Sequence, residues 1–469
     1  MAKYKIGDVI GGQYKILRII GGEGKSGRGI VFIVSEDHNV LAMKSIQTVY
    51  MTNEAMVHAF KREALAWVHL ERHPYIVRAQ YVINIDERPF IALDYIAPDK
   101  EGKNTLTQFM KTPLTMKRIL KWCIQICYAM EHGIEKGITP HRDIKPDNIM
   151  IDQQKNVKMT DYGLAMFVGE KRKVGNWKKL AEKGEVGLTF LRISKEEEVG
   201  GTVPWMAAEQ FEGNADVRSD IYSTGIVMYQ MINNGKLPFI YGTIDDYYMA
   251  HKKLPLPTRD NQLFPIIKKC CEKNPDDRYQ SFKELRLDLE KLYRNRTGKD
   301  PKKPPKEKEF KAWEHNNKGV SYVELGFADE AIKEFRETLK LDPYSANAHN
   351  NLGFIYRKKG MLDEAIKEFK EALKIKPNSV EPLENLIEAL EIKEDFREAA
   401  DVCRALVRLK PNYILGHYNL GRCLDATEEY EDAIYYFKNF LSYAPKDAQF
   451  KEKIRHAKKQ IKLLKKKLK

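Results

Sequence analysis

One short run of residues combines the side chains that chemistry on a phosphate would need. His141-Arg142-Asp143-Ile144-Lys145-Pro146-Asp147-Asn148 is followed by Asp161-Tyr162-Gly163, which begins eighteen residues after Asp143. Phosphoryl transfer asks for few groups: a carboxylate to orient the attacking hydroxyl, a cation on the phosphate, and oxygen ligands for a hard divalent ion. Asp143, Lys145, and the pair Asn148 and Asp161 supply these in that order. A lone Asp in a loop is most often a turn residue, but several matched residues at matched gaps disfavour that reading.

The pattern resembles the catalytic loop and metal-binding triplet of the eukaryotic-type serine/threonine protein kinases. The resemblance extends over residues 10–295 and implies an α+β bilobal fold with ATP and Mg²⁺ as cofactors. It makes Asp143 the residue that orients the substrate hydroxyl and Lys145 the neutraliser of the γ-phosphate. Asn148 and Asp161 become the metal ligands. A Lys at position 145 points to serine/threonine rather than tyrosine substrates. Tyr162 stands where the family usually has Phe, so its hydroxyl needs a partner if the ring is buried. Arg142, next to Asp143, fits an activation segment ordered by a phosphate.

Other elements must bring the nucleotide to this loop. Gly22, Gly24, Ser26 and Gly29 lie in a segment resembling the glycine-rich loop over ATP, where missing Cβ atoms let backbone N–H groups approach phosphate. The match is imperfect, because Ser26 holds the place of the family's second glycine. Gly24-Lys25-Ser26 imitates the end of a P-loop, but Ile19 stands where that motif needs a glycine. Lys44, in Leu41-Ala42-Met43-Lys44, resembles the strand lysine that grips the α- and β-phosphates, and Glu63, nineteen residues on, is its candidate partner. Phe90–Ile96 reads as the strand and hinge behind adenine, with Leu93 in the gatekeeper slot. Val31, Ala42, Asp94, Ile96 and Met150 complete the nucleotide site that the resemblance implies.

The activation segment runs from Asp161 to Ala207-Ala208-Glu209, about twice the family's usual length. Its excess, roughly 169–199, is rich in Lys and Glu and reads as a mobile surface insert. The competing reading is a regulatory flap, with Thr189, Ser194 and Thr202 as candidate phosphosites. Thr202 would lie near Asp143, and Glu209 would form a structural ion pair with Arg278. Asp220 resembles the helix residue that supports the catalytic-loop backbone.

Beyond a Pro/Lys-rich linker at 296–311, the chain repeats with period 34. Gly319, Gly353 and Gly421 share one phase, with Ile387 in the third slot. Phe335, Phe369 and Phe437 share another, with Cys403 in the third slot. Ala331, Ala365, Ala399 and Ala433 recur likewise, and Pro343, Pro377, Pro411 and Pro445 close each unit. This resembles tetratricopeptide repeats. It implies an all-α solenoid of four units, 312–345, 346–379, 380–413 and 414–447, covered by a basic capping helix at 448–469. Such an array implies protein or peptide partners beside the kinase's protein substrates. Of Asn316, Val320, Asn351, Glu381 and Asn385, only Asn351 fits a clamp for acidic chaperone tails, so no such clamp is expected. Asn317, Asn351, Asn385 and Asn419 recur every 34 residues. They form either a ladder that pairs with a peptide backbone or a set of bonds between helices.

Composition sets the bounds. The chain has 469 residues, and its formal charge of +14 is concentrated at the end, where 451–469 hold ten Lys or Arg against one Glu. The basic balance is therefore weak support for nucleic-acid binding, and the tail reads as a solvated cap. Six cysteines without metal-ligand spacing fit core packing in a reducing compartment. No apolar run approaches the ~18 residues of a membrane span. Met1–Gly7 has no signal-type stretch, so a cytoplasmic chain is expected.

Overall fold

Alternation of apolar and polar residues creates the first layer. In 39–46, Leu41 and Met43 turn into the core, which leaves Ala42 and Lys44 together on the opposite face. The computed structural model describes residues 4–21, 29–37, 39–138, 140–162, 202–305, 309–445 and 450–468. The chain divides into two units, Met1–Glu309 and Phe310–Lys469.

In the first unit, strands β1 (Val9–Ile10), β2 (Tyr14–Gly21), β3 (Gly29–Glu36), β4 (Asn39–Ile46), β5 (Ala79–Ile85) and β6 (Arg88–Asp94) form an antiparallel sheet in the order β1-β2-β3-β4-β6-β5. The glycine-bearing segment therefore joins two antiparallel strands, with Gly21 opposite Ile30. That is a hairpin, where a P-loop would run from strand to helix. Helix α1 (Glu54–Leu70) packs beside β4 and β5. Asn53 caps it by accepting the Met56 N–H at 3.1 Å.

The rest of the unit is mainly helical. It holds α2 (Leu106–Phe109), α3 (Met116–Glu135), α4 (Ala208–Phe211), α5 (Val217–Ile232), α6 (Ile244–Lys253), α7 (Phe264–Cys270) and α8 (Phe282–Thr297). Helix α5 is buried along most of its length, and α3 packs on α8. A hairpin of β7 (Ile149–Ile151) and β8 (Val157–Met159) follows the His141–Asn148 loop and delivers the chain to Asp161.

The second unit is a row of helix pairs: α9 (Ala312–Leu325) with α10 (Ala328–Leu341), α11 (Ala346–Lys358) with α12 (Leu362–Ile375), α13 (Val380–Ile392) with α14 (Phe396–Leu409), and α15 (Ile414–Ala426) with α16 (Tyr430–Tyr443). Each first helix starts 34 residues after the previous one, as does each second helix. Helix α17 (Lys451–Lys467) packs on α16. Within three pairs the helices approach so closely that only glycine fits. A Cβ on Gly319, Gly353 or Gly421 would lie 2.6, 2.7 or 2.9 Å from a ring carbon of Phe335, Phe369 or Phe437.

The third pair solves the same packing problem the other way round. Ile387 occupies the glycine place and Cys403 the phenylalanine place, both fully buried. Bulk has moved from the second helix to the first with total volume roughly kept, the kind of exchange cores tolerate best. Cys403→Phe alone is expected to cost about 1–3 kcal/mol by overpacking. Adding Ile387→Gly should recover most of that loss. Urea unfolding of the four variants of the cycle checks it, and strictly additive losses would reject the coupling.

Candidate active site

The site is built at the ends of the elements just described. Lys44 Nζ, on β4, donates to Glu63 Oε1 on α1 at 2.5 Å and to Asp161 Oδ1 at 2.9 Å. Burial by itself would depress the Lys44 ammonium, but the Asp161 and Glu63 carboxylates overcome this and hold it above its ordinary value. Burial pushes Glu63 upward against the pull of Lys44. For Asp161, burial also works upward, but Lys44 and Lys145 win and bring it down to about 2. Asp161 is thus ionised at any physiological pH.

The loop 141–148 holds a second cluster. Lys145 Nζ donates to both oxygens of Asp143, at 2.9 and 3.1 Å, and to Thr202 Oγ1 at 3.0 Å. The Thr202 hydroxyl in turn donates to Asp143 Oδ1. Asn148 Nδ2 donates to the Asp143 carbonyl at 2.9 Å and to its Oδ2 at 2.8 Å. The backbone beneath is held from α5, where Asp220 accepts the N–H groups of His141 at 2.6 Å and Arg142 at 2.8 Å. Burial raises the Asp220 carboxyl to about 7 against those two donors. The second of these bonds helps hold Arg142 in a costly left-handed backbone, φ 67°, and Asp161 takes the same conformation at 66°.

Asn148 and Asp161 fit a divalent ion. Among the described residues nothing donates to Asn148 Oδ1 or Asp161 Oδ2, so two hard oxygens remain available. The nucleotide residues lie on neighbouring strands. Val31 pairs with Lys44, and Ala42 with Leu93. A Cβ on Gly29 would stand 3.6 Å from Lys44 Cε. Asp94 accepts from Gln80 Nε2 at 2.5 Å, the Ile96 carbonyl accepts from Asn104 Nδ2 at 2.8 Å, and Met150 lies on β7. Gly22, Gly24, Ser26, Thr189, Ser194 and the 169–199 insert lie outside the described residues.

Glu209 and Arg278 meet through two bonds, Nη1 to Oε1 at 2.6 Å and Nη2 to Oε2 at 3.2 Å. In the repeats, Asn351 Nδ2 donates to Asn316 at 3.2 Å and Asn385 Nδ2 to Asn350 at 2.9 Å. Those two amide donors join neighbouring first helices. Asn317 and Asn419 are half-buried on α9 and α15.

Three supporting residues were given no role by sequence reasoning. Trp67 Nε1 reaches Glu63 Oε1 at 3.4 Å, and its place four residues on, one helical turn away, was the available signal. The His141 ring packs 4.4 Å from that of Tyr162, which lies 5.1 Å from Trp67. Gln210 caps α4 and donates to the Arg142 carbonyl at 3.3 Å, and nothing in the sequence marks it. Tyr162 itself is buried and its hydroxyl has no partner among the described residues. Tyr162→Phe should therefore raise stability by about 1–2 kcal/mol and leave any activity intact. A destabilised variant in a thermal melt would show that the hydroxyl does have a partner.

The family model for the protein kinase domain matches residues 14–287. The chain belongs to the protein kinase domain family. Models for tetratricopeptide repeats match 319–360, 346–379 and 385–448, so the kinase domain is followed by tetratricopeptide repeats. Serine/threonine-protein kinase PrkC of Bacillus subtilis is 30% identical over 298 residues, 61% of this chain and 42% of the relative. A probable serine/threonine-protein kinase of Clostridium perfringens is 30% identical over 304 residues, 61% of this chain and 39% of the relative. PknB of Mycobacterium tuberculosis, also a serine/threonine-protein kinase, is 30% identical over 275 residues, 56% of this chain and 40% of the relative. The kinase-domain chain thus spans about two fifths of the length of these curated relatives.

Proposed function

We propose that this chain is a serine/threonine protein kinase that passes the γ-phosphoryl group of ATP to a protein hydroxyl, with its repeats recruiting a protein or peptide partner. The observation that carries the reading is the cluster of Asp143, Lys145 and Thr202. Its carboxylate already accepts a hydroxyl, and an ammonium stands 3.0 Å from that hydroxyl oxygen. Bound Mg·ATP would supply the phosphoryl group and screen its charge. Lys44 would hold the α- and β-phosphates while Glu63 fixes its ammonium. Asn148 and Asp161 would hold the metal ion. Asp143 would align the attacking hydroxyl and take its proton as the new O–P bond forms and ADP leaves. Lys145 would offset the negative charge on the moving group.

Among the described residues no helix is long and apolar enough to cross a membrane. We place the protein in the cytoplasm, where ATP is available and six buried thiols stay reduced. The test is incubation of the purified chain with Mg²⁺ and labelled ATP, followed by phosphoamino acid analysis. Phosphoserine or phosphothreonine is the expected product. ATP binding without incorporation, even with candidate substrates present, would favour a scaffold that kept the site for binding alone.

A further inference from the structure

Helix α17 separates its two kinds of residue sharply. Ala457 and Leu464 are buried, and Ile454 and Ile461 half-buried, against the last repeat. His456 Nδ1 meets the Tyr418 hydroxyl at 3.1 Å on the same side. The apolar stripe is therefore used up in packing. What remains outward is a row at spacings of four and three, Lys451, Arg455, Lys458, Lys462 and Lys465, flanked by Lys459 and Lys466. At 100° per residue these seven cations share one face, about 22 Å long. All seven are exposed.

Elsewhere in the repeats about half of the described cations meet carboxylates, as in Lys318 with Glu334 at 2.8 Å, Lys370 with Glu398 at 2.6 Å and Arg422 with Glu391 at 3.0 Å. Among the described residues none of the seven has such a partner. Like charges crowded on one face repel, and leaving them unpaired favours an external polyanion.

We propose that this face docks the protein on an anionic membrane surface, lying flat without insertion of its packed stripe. Three features select a lipid surface over other polyanions. Six of the seven cations are Lys, a hydrated point charge suited to diffuse attraction, where Arg would provide the bidentate fork for fixed phosphates. The row carries no aromatic or amide side chain to stack on or read bases. A single convex helix face also lacks the groove that would hold an acidic peptide.

The test is co-sedimentation of the 469-residue chain with vesicles of phosphatidylcholine alone and with vesicles that also contain phosphatidylserine. Binding is expected only to the second kind, and should be lost between about 0.1 M and about 0.5 M salt. The exposed charge reversal K458E/K462E/K465E/K466E should lower the partition coefficient at least about tenfold. The salt series on the unaltered protein stands whether or not that variant folds. Failure to bind anionic vesicles at low salt, or equal binding to both vesicle types, would overturn the proposal. Tighter binding to duplex DNA at matched phosphate concentration would reassign the face to nucleic acid.

Discussion

Asp143→Asn should cut phosphate incorporation by at least about a hundredfold while ATP still binds. The substitution keeps the size of the side chain and its bond to Asn148, but it removes the negative charge between Lys145 and Thr202. The amide can no longer take the proton of an attacking hydroxyl, and Lys145 is left without its counter-ion. The nucleotide's own anchors, Lys44, Glu63 and Asp161, stand apart from the change. The expected split is therefore lost turnover with nearly unchanged ATP affinity, read by labelled incorporation and by calorimetric titration. Unaltered incorporation would remove Asp143 from the mechanism. A matching loss of ATP affinity would mean that the loop had collapsed.

The largest stability effect is expected at Arg278. Its guanidinium, 1% exposed, binds both oxygens of Glu209 and also donates to the carbonyls of Glu272 at 2.7 Å, Arg218 at 3.1 Å and Lys273 at 3.2 Å. Arg278→Ala leaves a carboxylate and three carbonyls short of a donor, and should cost about 3–5 kcal/mol in the kinase unit. Replacing a buried ion pair with apolar residues of similar volume is often neutral. Here it should not be, because the carbonyls belong to the backbone and stay behind. Glu209→Leu with Arg278→Met is thus expected to remain at least about 2 kcal/mol less stable than the parent. Denaturant unfolding followed in the full chain decides the matter, and full recovery in the double variant would show that the carbonyls contribute little.

Much of this was legible in the sequence, for a physical reason. Side chains that act on one small group must lie at fixed distances, so Lys44, Glu63, Asp143, Asn148 and Asp161 carry their geometry in their spacing. Repeats are legible because each unit meets the same neighbour, which enforces a common phase. Supporting contacts are less visible. Gln210 reaches the Arg142 carbonyl across 68 residues, and any donor of suitable length could do so. The asparagine series shows the opposite hazard. Its period was plain, but the period alone could not say whether the amides face a ligand or one another, and Asn351 and Asn385 turn to their neighbours. The basic tail, read from charge alone as a solvated cap, acquired a direction only once Ala457 and Leu464 were seen to be buried.

The exchange of bulk at Ile387 and Cys403 bears on how such an array can change over time. Both residues lie inside one 34-residue unit, on its two helices. A crossover that falls between units moves the matched pair together and leaves every interior filled. A crossover in the short turn between α13 and α14 would join an isoleucine-bearing helix to a phenylalanine-bearing one, or a glycine to a cysteine. The first hybrid is too full and the second holds a void. Units of this array can be gained or lost whole, but their halves are not exchangeable parts.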